Sequence, residues 1–335
     1  MIICSKSYAR AGLIGNPSDG YYGKTVSFIV RNFSAEVVLY ETPELKILPS
    51  ERDHSVFANM GELGKDVRNF GYYGGIRLLK ATVKRFHDYC VENQIKLDDR
   101  NFTIRYSSDI PPHVGMAGSS AIITACLRGL MTFYGITISR QLQANLVLSV
   151  ENEELGIPAG LQDRVIQAYE GLVYMDFERD LMEQRGYGRY EELSPDLLPP
   201  LYIAYSTKLS GGTEVFHNDI RARFDRGEEI VVESMAYWAD LADQVKQLLL
   251  DGESAEMGPL LNANFDRRRE IYQLSENNLK VVETARAVGA SCKFTGSGGA
   301  FVGTYEGEEM YRRLVESLGS QGIEVIKPIV KEDES

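Results

Sequence analysis

The sequence predicts two α+β domains, on three observations. The chain has 335 residues, more than one hydrophobic core usually serves. Strand-like and helical stretches follow one another without strict alternation, which argues against a doubly wound parallel sheet. Residues 179–200, RDLMEQRGYGRYEELSPDLLPP, are charged and then proline-bearing, the best candidate for a domain join. Domains are therefore expected at 1–190 and 198–335.

The elements follow in order. Residues 25–40 are rich in β-branched and aromatic side chains with partial alternation, and read as paired strands. Across 66–90, Ile76, Leu79, Val83 and Phe86 recur on one helical face. Residues 101–107 read as a strand. Helices are expected at 119–134 and 140–155, separated by Gly135 and the N-cap candidate Ser139. A strand is expected at 171–177. The second half opens with a strand at 201–205, followed by helical patterns at 228–250, 259–274 and 277–288. Residues 292–304 read as strand-turn-strand, 307–318 as a helix and 323–330 as a last strand. Residues 208–218 read as a mobile loop, and the tail KEDES as frayed.

Composition narrows the function. A net charge of −12 argues against non-specific nucleic-acid binding. Cys4, Cys90, Cys126 and Cys292 form no CxxC pair, so neither a zinc site nor a disulfide framework is suggested. His54, His87, His113 and His217 are scattered and support no metal cluster or Ser-His-Asp triad. No apolar run is long enough to span a bilayer and no leader opens the chain, so a cytoplasmic location is expected.

Residues 110–130, IPPHVGMAGSSAIITACLRGL, are the most informative segment. A strand-like run stops at Pro111-Pro112, and a loop with Gly115, Gly118, Ser119 and Ser120 feeds a helix. The first amides of a helix lack intrahelical partners and the dipole is positive there. Glycines allow close approach of a phosphate. The hydroxyls of Ser119 and Ser120 suit a phosphate oxygen or a magnesium ion. A plain loop with a capping serine fits the same letters.

Three further segments carry polar chemistry, beside one decoy. Gly23-Lys24-Thr25 mimics the end of a P-loop, but the required earlier glycine is Ser18 and a β-branched run follows. Residues 9–25, ARAGLIGNPSDGYYGKT, read as a substrate loop or an ordinary turn. Glu151 and Asp163 flank the break Gly156-Ile157-Pro158, where one carboxylate can hold magnesium and the other accept a proton. Solvated carboxylates are the competing reading, strong for Glu153 and Glu154. In KFTGSGGAFVG, residues 293–303, Gly296, Gly298 and Gly299 exceed what a hairpin needs, so something approaches the backbone closely.

In this order the segments resemble the GHMP kinases. The first family motif, P-G-R/K-x-x-L-x-G-E-H, resembles Ala9 to Pro17, with Asn16-Pro17 in place of Glu-His. The second, P-x-x-x-G-L-G-S-S-A, resembles Pro111 to Ala121, with one extra residue. The third, K-x-T-G-x-G-G-G, resembles Lys293 to Ala300, with alanine at its end. These departures resemble one branch, the glucuronokinases, whose members carry close relatives of GNPSDGxxGKT, of GYYGGxRLLKA (Gly71 to Ala81) and of the stretch Glu154 to Phe177.

The resemblance implies a two-domain GHMP kinase fold. Its N-terminal domain would be ribosomal-protein-S5-domain-2-like, and its C-terminal domain a ferredoxin-like α+β unit. It implies transfer of the ATP γ-phosphoryl group to the C1 hydroxyl of D-glucuronate. ATP would lie on Gly115, Met116, Ala117, Gly118, Ser119 and Ser120, with Gly296 and Gly298 beside it. Ser120 and Glu151 would ligate magnesium, with Ser119 an open alternative to Ser120. Asp163 would be the base and Arg10 its cationic neighbour. Asn16, Asp19, Lys24 and Arg164 would meet the acceptor, Lys24 and Arg164 as candidates for its carboxylate. A surface helix position competes for Arg164. Tyr72 and Tyr73 line a pocket or pack in the core. Other acceptors (galacturonate, a neutral hexose, a heptose phosphate) and a non-catalytic binding module remain the rival expectations. The implied partners are a sugar acid and ATP, with no nucleic acid and no membrane.

Overall fold

The computed structural model describes residues 1–50, 53, 74–206 and 217–332. Tyr72 and Tyr73, and residues 208–216 of the expected loop, lie outside the described residues. In chain order the first elements are strand β1 (Ile2–Ile14), a 3-10 turn at Ser18–Tyr21, and strands β2 (Lys24–Thr42) and β3 (Lys46–Ile47). Helix α1 (Gly75–Glu92), strand β4 (Asn101–Ser108), and helices α2 (Gly118–Tyr134) and α3 (Arg140–Ser149) come next. A π-helical turn at Val150–Glu154 leads to helix α4 (Gln162–Tyr169), strand β5 (Leu172–Asp176), helix α5 (Arg179–Arg185), and strands β6 (Arg189–Leu193) and β7 (Leu201–Ser206). Helices α6 (His217–Asp225), α7 (Glu229–Asp251), α8 (Gly258–Ile271) and α9 (Glu276–Val288) follow. Strands β8 (Lys293–Phe294) and β9 (Ala300–Thr304), helix α10 (Gly307–Gly319) and strand β10 (Ile323–Ile326) complete the described chain.

Three segments depart from expectation. Residues 25–40 form one long strand within Lys24–Thr42: Asn32 and Ser34 can form turns, but no glycine or proline stands with them, and the β-branched and aromatic residues on either side carry the strand through. Residues 179–200 hold helix α5 and strand β6, which pairs antiparallel with β5 (Leu172 opposite Leu193). The last strand stops at Ile326, where Pro328 has no N–H to continue a ladder. The helix punctuation is as expected: the Ser139 hydroxyl caps α3 by accepting from the Leu142 amide, and Gly135 ends α2 in the left-handed region.

Internal contacts divide the chain into two compact units. The first comprises Met1–Ala9, Phe33–Ile110 and Ala117–Ala168. Within it, β2 pairs antiparallel with β4 from Ala35 to Thr42, and β3 pairs parallel with β4. Helix α1 packs on α2, and Phe102 meets Phe133 edge to face at 5.4 Å in its core. The second comprises Arg10–Asn32, Pro111–Met116 and Tyr169–Ser335. There β2 pairs with β5 from Lys24 to Phe28. A second, antiparallel sheet runs in the order β10-β7-β9-β8. Its core gathers Tyr202, Phe265, Val282, Ala285, Phe301 and Leu314, all buried. Helices and antiparallel strands in both units make the class α+β.

Candidate active site

The first unit places the start of α2. Ala117 sits in the left-handed region at φ 61° and ψ 42°, just before the helix. That conformation costs a non-glycine residue about 1–2 kcal/mol, and the surroundings hold it. The Ala117 carbonyl accepts from the Ala121 amide at 3.1 Å, the Ser120 hydroxyl at 3.1 Å and Gln167 Nε2 at 3.0 Å. Gln167 Nε2 also donates to the Tyr8 carbonyl at 3.1 Å. Gly118, Ser119 and Ser120 thus form a fixed first turn, where backbone N–H groups suit an anion.

The two carboxylates stand on opposite sides of the helix break. Glu151 lies on the π-helical turn, 2% exposed, and its carbonyl accepts from the Ile157 amide at 2.7 Å. Asp163 opens α4. Between them runs Arg164, which the sequence gives to the acceptor or to the surface. Its side chain is 6% exposed, so the surface reading fails. Arg164 Nε donates to Glu151 Oε2 at 2.6 Å, and Nη2 reaches the same oxygen. Nη1 donates to the Gly160 carbonyl at 2.8 Å and lies 3.1 Å from Asp163 Oδ2. Glu153 is exposed and Glu154 pairs with Lys84 at 2.6 Å, as surface carboxylates do.

The second unit assembles the other motifs. The buried Arg10 guanidinium donates through Nη1 to the carbonyls of Gly115 (2.6 Å) and Thr295 (3.2 Å). The Arg10 amide donates to the Met116 carbonyl at 3.2 Å. Gly115, Gly298 and Gly299 all have positive φ, a region that favours glycine. A Cβ on Gly115 would stand 2.8 Å from the Gly298 carbonyl oxygen; one on Gly296 would stand 2.6 Å from that of Gly115. The glycines of 293–303 therefore answer to a close backbone approach.

Under this loop lie cations that the sequence reading left without a role. Lys293, 1% exposed, donates to Gly12 O (2.8 Å), Asn16 Oδ1 (2.6 Å) and Phe294 O (2.8 Å). Burial first, and then the charges of Arg268 and Arg10, pull its amine well below the ordinary lysine range. Arg268, also buried, donates to Gly296 O at 2.9 Å and Ser297 O at 3.3 Å, between the rings of Tyr272 and Phe294. Asn264 takes the Gly15 amide at 2.8 Å and donates to Asn16 O at 3.1 Å. Asn264 and Arg268 stand four apart on α8, a polar stripe that the sequence alone does not distinguish from a solvated face.

The expected acceptor residues of this unit differ in setting. Asn16 is buried and bonded to Lys293. Asp19 is partly exposed on the 3-10 turn, near enough to Arg268, Tyr21 and Tyr272 to act on each electrostatically. Lys24 reaches Asp243 Oδ2 at 2.6 Å, and Tyr174 donates to the other oxygen of that carboxylate at 2.5 Å. Burial lowers the Lys24 ammonium's pKa, but the hydrogen bond and charge of Asp243 outweigh it and raise the value.

A glycine-bearing loop entering a helix, and a carboxylate pair of which Glu151 is buried and Asp163 partly exposed, are the kind of groups that suit phosphoryl chemistry. The family model described as GHMP kinases N terminal domain matches residues 77–171. Probable glucuronokinase 2 of Arabidopsis thaliana is 42% identical over 332 residues, covering 97% of this chain and 90% of that protein. The chain belongs to the GHMP kinase family. Glucuronokinase 1 of the same plant is 44% identical over 303 residues, covering 89% of this chain and 83% of that protein. Among solved structures, Lactococcus lactis galactokinase complexed with galactose is similar with a TM-score of 0.76 at 16% identity, covering 98% of this chain and 93% of that one. Methanococcus jannaschii mevalonate kinase gives 0.69 at 21%, covering 99% and 98%. These two likenesses show the fold alone.

Proposed function

We propose that this kinase transfers the γ-phosphoryl group of ATP to the C1 hydroxyl of D-glucuronate, giving glucuronic acid 1-phosphate and ADP. The observation that carries the reading is the 42% identity to a probable glucuronokinase across 97% of the chain. The acceptor, ATP and magnesium are inferences from that likeness and from the chemistry of the residues. The functional division at 1–190 and 198–335 remains part of the same reading.

Asp163 is the base that takes the C1 hydroxyl proton, and Arg10 favours the negative charge developing on that oxygen. The amides from Gly115 to Ser120, with Gly296 and Gly298, hold the phosphates. Asn16, Asp19 and Lys24 orient the sugar. Phosphoryl transfer depends mostly on positioning and charge stabilisation, so few groups suffice. Among the described residues no group of three His, Cys, Asp or Glu can hold a metal. A hydroxyl and a carboxylate still fit magnesium, which takes oxygen ligands and retains waters and substrate phosphates. Ser120 and Glu151, or Ser119 in place of Ser120, supply that pair. When bound, magnesium neutralises charge on the phosphates. Among the described residues no helix is long and apolar enough to cross a membrane.

The test is a coupled ADP-release assay with D-glucuronate beside D-galacturonate, D-galactose, D-glucose and mevalonate. Clear preference for glucuronate is the expected result. Turnover confined to a neutral sugar or mevalonate overturns the acceptor while leaving the kinase.

A further inference from the structure

We propose that Arg164 is a positioning residue that ties the catalytic base to the metal-binding carboxylate, so that Asp163 and Glu151 are held as one unit. The inference rests on the roles just proposed for those two acids. Its geometry stands apart from them. One guanidinium uses Nε and Nη2 on Glu151 Oε2, and Nη1 on the Gly160 carbonyl and towards Asp163 Oδ2. Both carboxylates belong to different elements, the π-helical turn and the first turn of α4. The chain between them turns through Gly156, at φ 64°, and Pro158, and Arg164 staples that loop at its Gly160 carbonyl.

The residue type suits the task. Arginine presents a rigid planar fork with five donors, whereas lysine is a point charge on a flexible stem. A lysine ammonium would offer its donors from a single point, without the fork that spreads the guanidinium's donors over Glu151, Gly160 and Asp163. Electrostatics point the same way: loss of the guanidinium takes a positive charge from beside two carboxylates of low exposure. Arg164 occupies Oε2, one of the two oxygens by which Glu151 could hold a metal. It therefore sets both where the carboxylate points and how strongly it draws a cation.

On this proposal Arg164 serves two carboxylates of its own chain rather than the substrate's. The two assignments give opposite kinetic signatures. A clamp on the acceptor, once lost, raises the acceptor KM. A lost positioning residue lowers kcat, because a displacement near 1 Å at the reacting groups costs about 10²-fold.

The experiment compares wild type, R164K and R164A by steady-state kinetics and by calorimetric titration of magnesium into enzyme with a non-hydrolysable ATP analogue. R164A is expected to lose about 10²-fold in kcat with acceptor KM within about threefold. Millimolar guanidinium chloride, but not potassium chloride, restores part of the loss. Magnesium binds R164A more tightly than wild type, since a positive charge beside Glu151 is gone, and R164K, which keeps a charge but not the fork, falls between them. Should R164A fail to fold, R164K carries the magnesium titration and the KM-against-kcat comparison. A raised acceptor KM at unchanged kcat returns Arg164 to the substrate and overturns the proposal. So does a magnesium affinity unaltered or weakened in the folded variant. Failure of the underlying reading is seen separately, as turnover that survives D163N or absence of any kinase activity in wild type.

Discussion

Gly296→Ala tests whether the third motif's loop acts on the turn at Gly115, proposed above to hold phosphates, through direct backbone contact. A Cβ at this position would lie 2.6 Å from the Gly115 carbonyl oxygen, about 0.8 Å short of the 3.4 Å where ordinary contact begins. It would also lie 2.7 and 2.8 Å from the two terminal nitrogens of Arg10. Neither neighbour is a free surface group. The Gly115 carbonyl accepts from Arg10 Nη1 at 2.6 Å, and Arg10 is 4% exposed. Relief of the clash therefore breaks or stretches a hydrogen bond to a charged group, worth about 1.5–3 kcal/mol. Every ~1.4 kcal/mol is tenfold in binding, so the ATP KM should rise between about tenfold and a hundredfold. The acceptor KM should stay within about twofold. A coupled ADP-release assay with each substrate varied in turn reads both. An unchanged ATP KM in a folded G296A enzyme refutes the reasoning.

Three more outcomes are expected. Asp163→Asn should lower kcat by about 10²–10⁴-fold while calorimetry still detects the ATP analogue; near-normal turnover would remove Asp163 from the role of base. Ala117→Gly should raise the thermal midpoint by about 2 °C, because glycine enters the left-handed region without the cost that Ala117 bears; a lowered midpoint would show that Ala117 is not strained. Lys293→Met should change the pH dependence of stability. Above the ordinary lysine value of 10.5 the amine is neutral in both folded and unfolded chains. As pH falls below that value, the unfolded chain takes up a proton that the folded site refuses, so wild type loses stability toward the folded pKa and K293M lacks that slope. Urea denaturation of both proteins across this range measures it, and parallel slopes would contradict the buried, weakly basic amine.

What could be read from the letters divides along physical lines. Local signals carried well. Ser139 and Gly135 marked helix ends because capping chemistry involves only residues near the cap. The loop before α2 was legible because Pro111-Pro112 stop a strand and glycine takes the positive φ found at Gly115. The Gly156-Ile157-Pro158 break correctly set Glu151 and Asp163 on separate elements. Long-range pairing stayed hidden. Nothing near Arg164 in sequence distinguishes a guanidinium turned inward onto Glu151 from one in water. Arg268 stands in the run Arg267-Arg268-Arg269, which reads as an exposed charged stripe, yet it is 2% exposed. Lys293 was visible as a motif letter, but its acceptors at Gly12 and Asn16 lie far away along the chain. The unbroken β2 was hidden for another reason: partial alternation looks alike in one strand and in two.

The π-helical turn at Val150–Glu154 has a consequence for how this protein can vary over time. Such a turn is an α-helix that has absorbed one extra residue. Loss of a single residue there would rewind it, and each residue step of a helix is about 100° of rotation. Glu151 would swing away from Arg164, and everything up to Gly156 would shift with it. Asn152 and Glu153 are exposed and open to many replacements. Descendants of this chain should therefore drift freely in the spelling of the turn while keeping its length, a segment inherited by count rather than by letter.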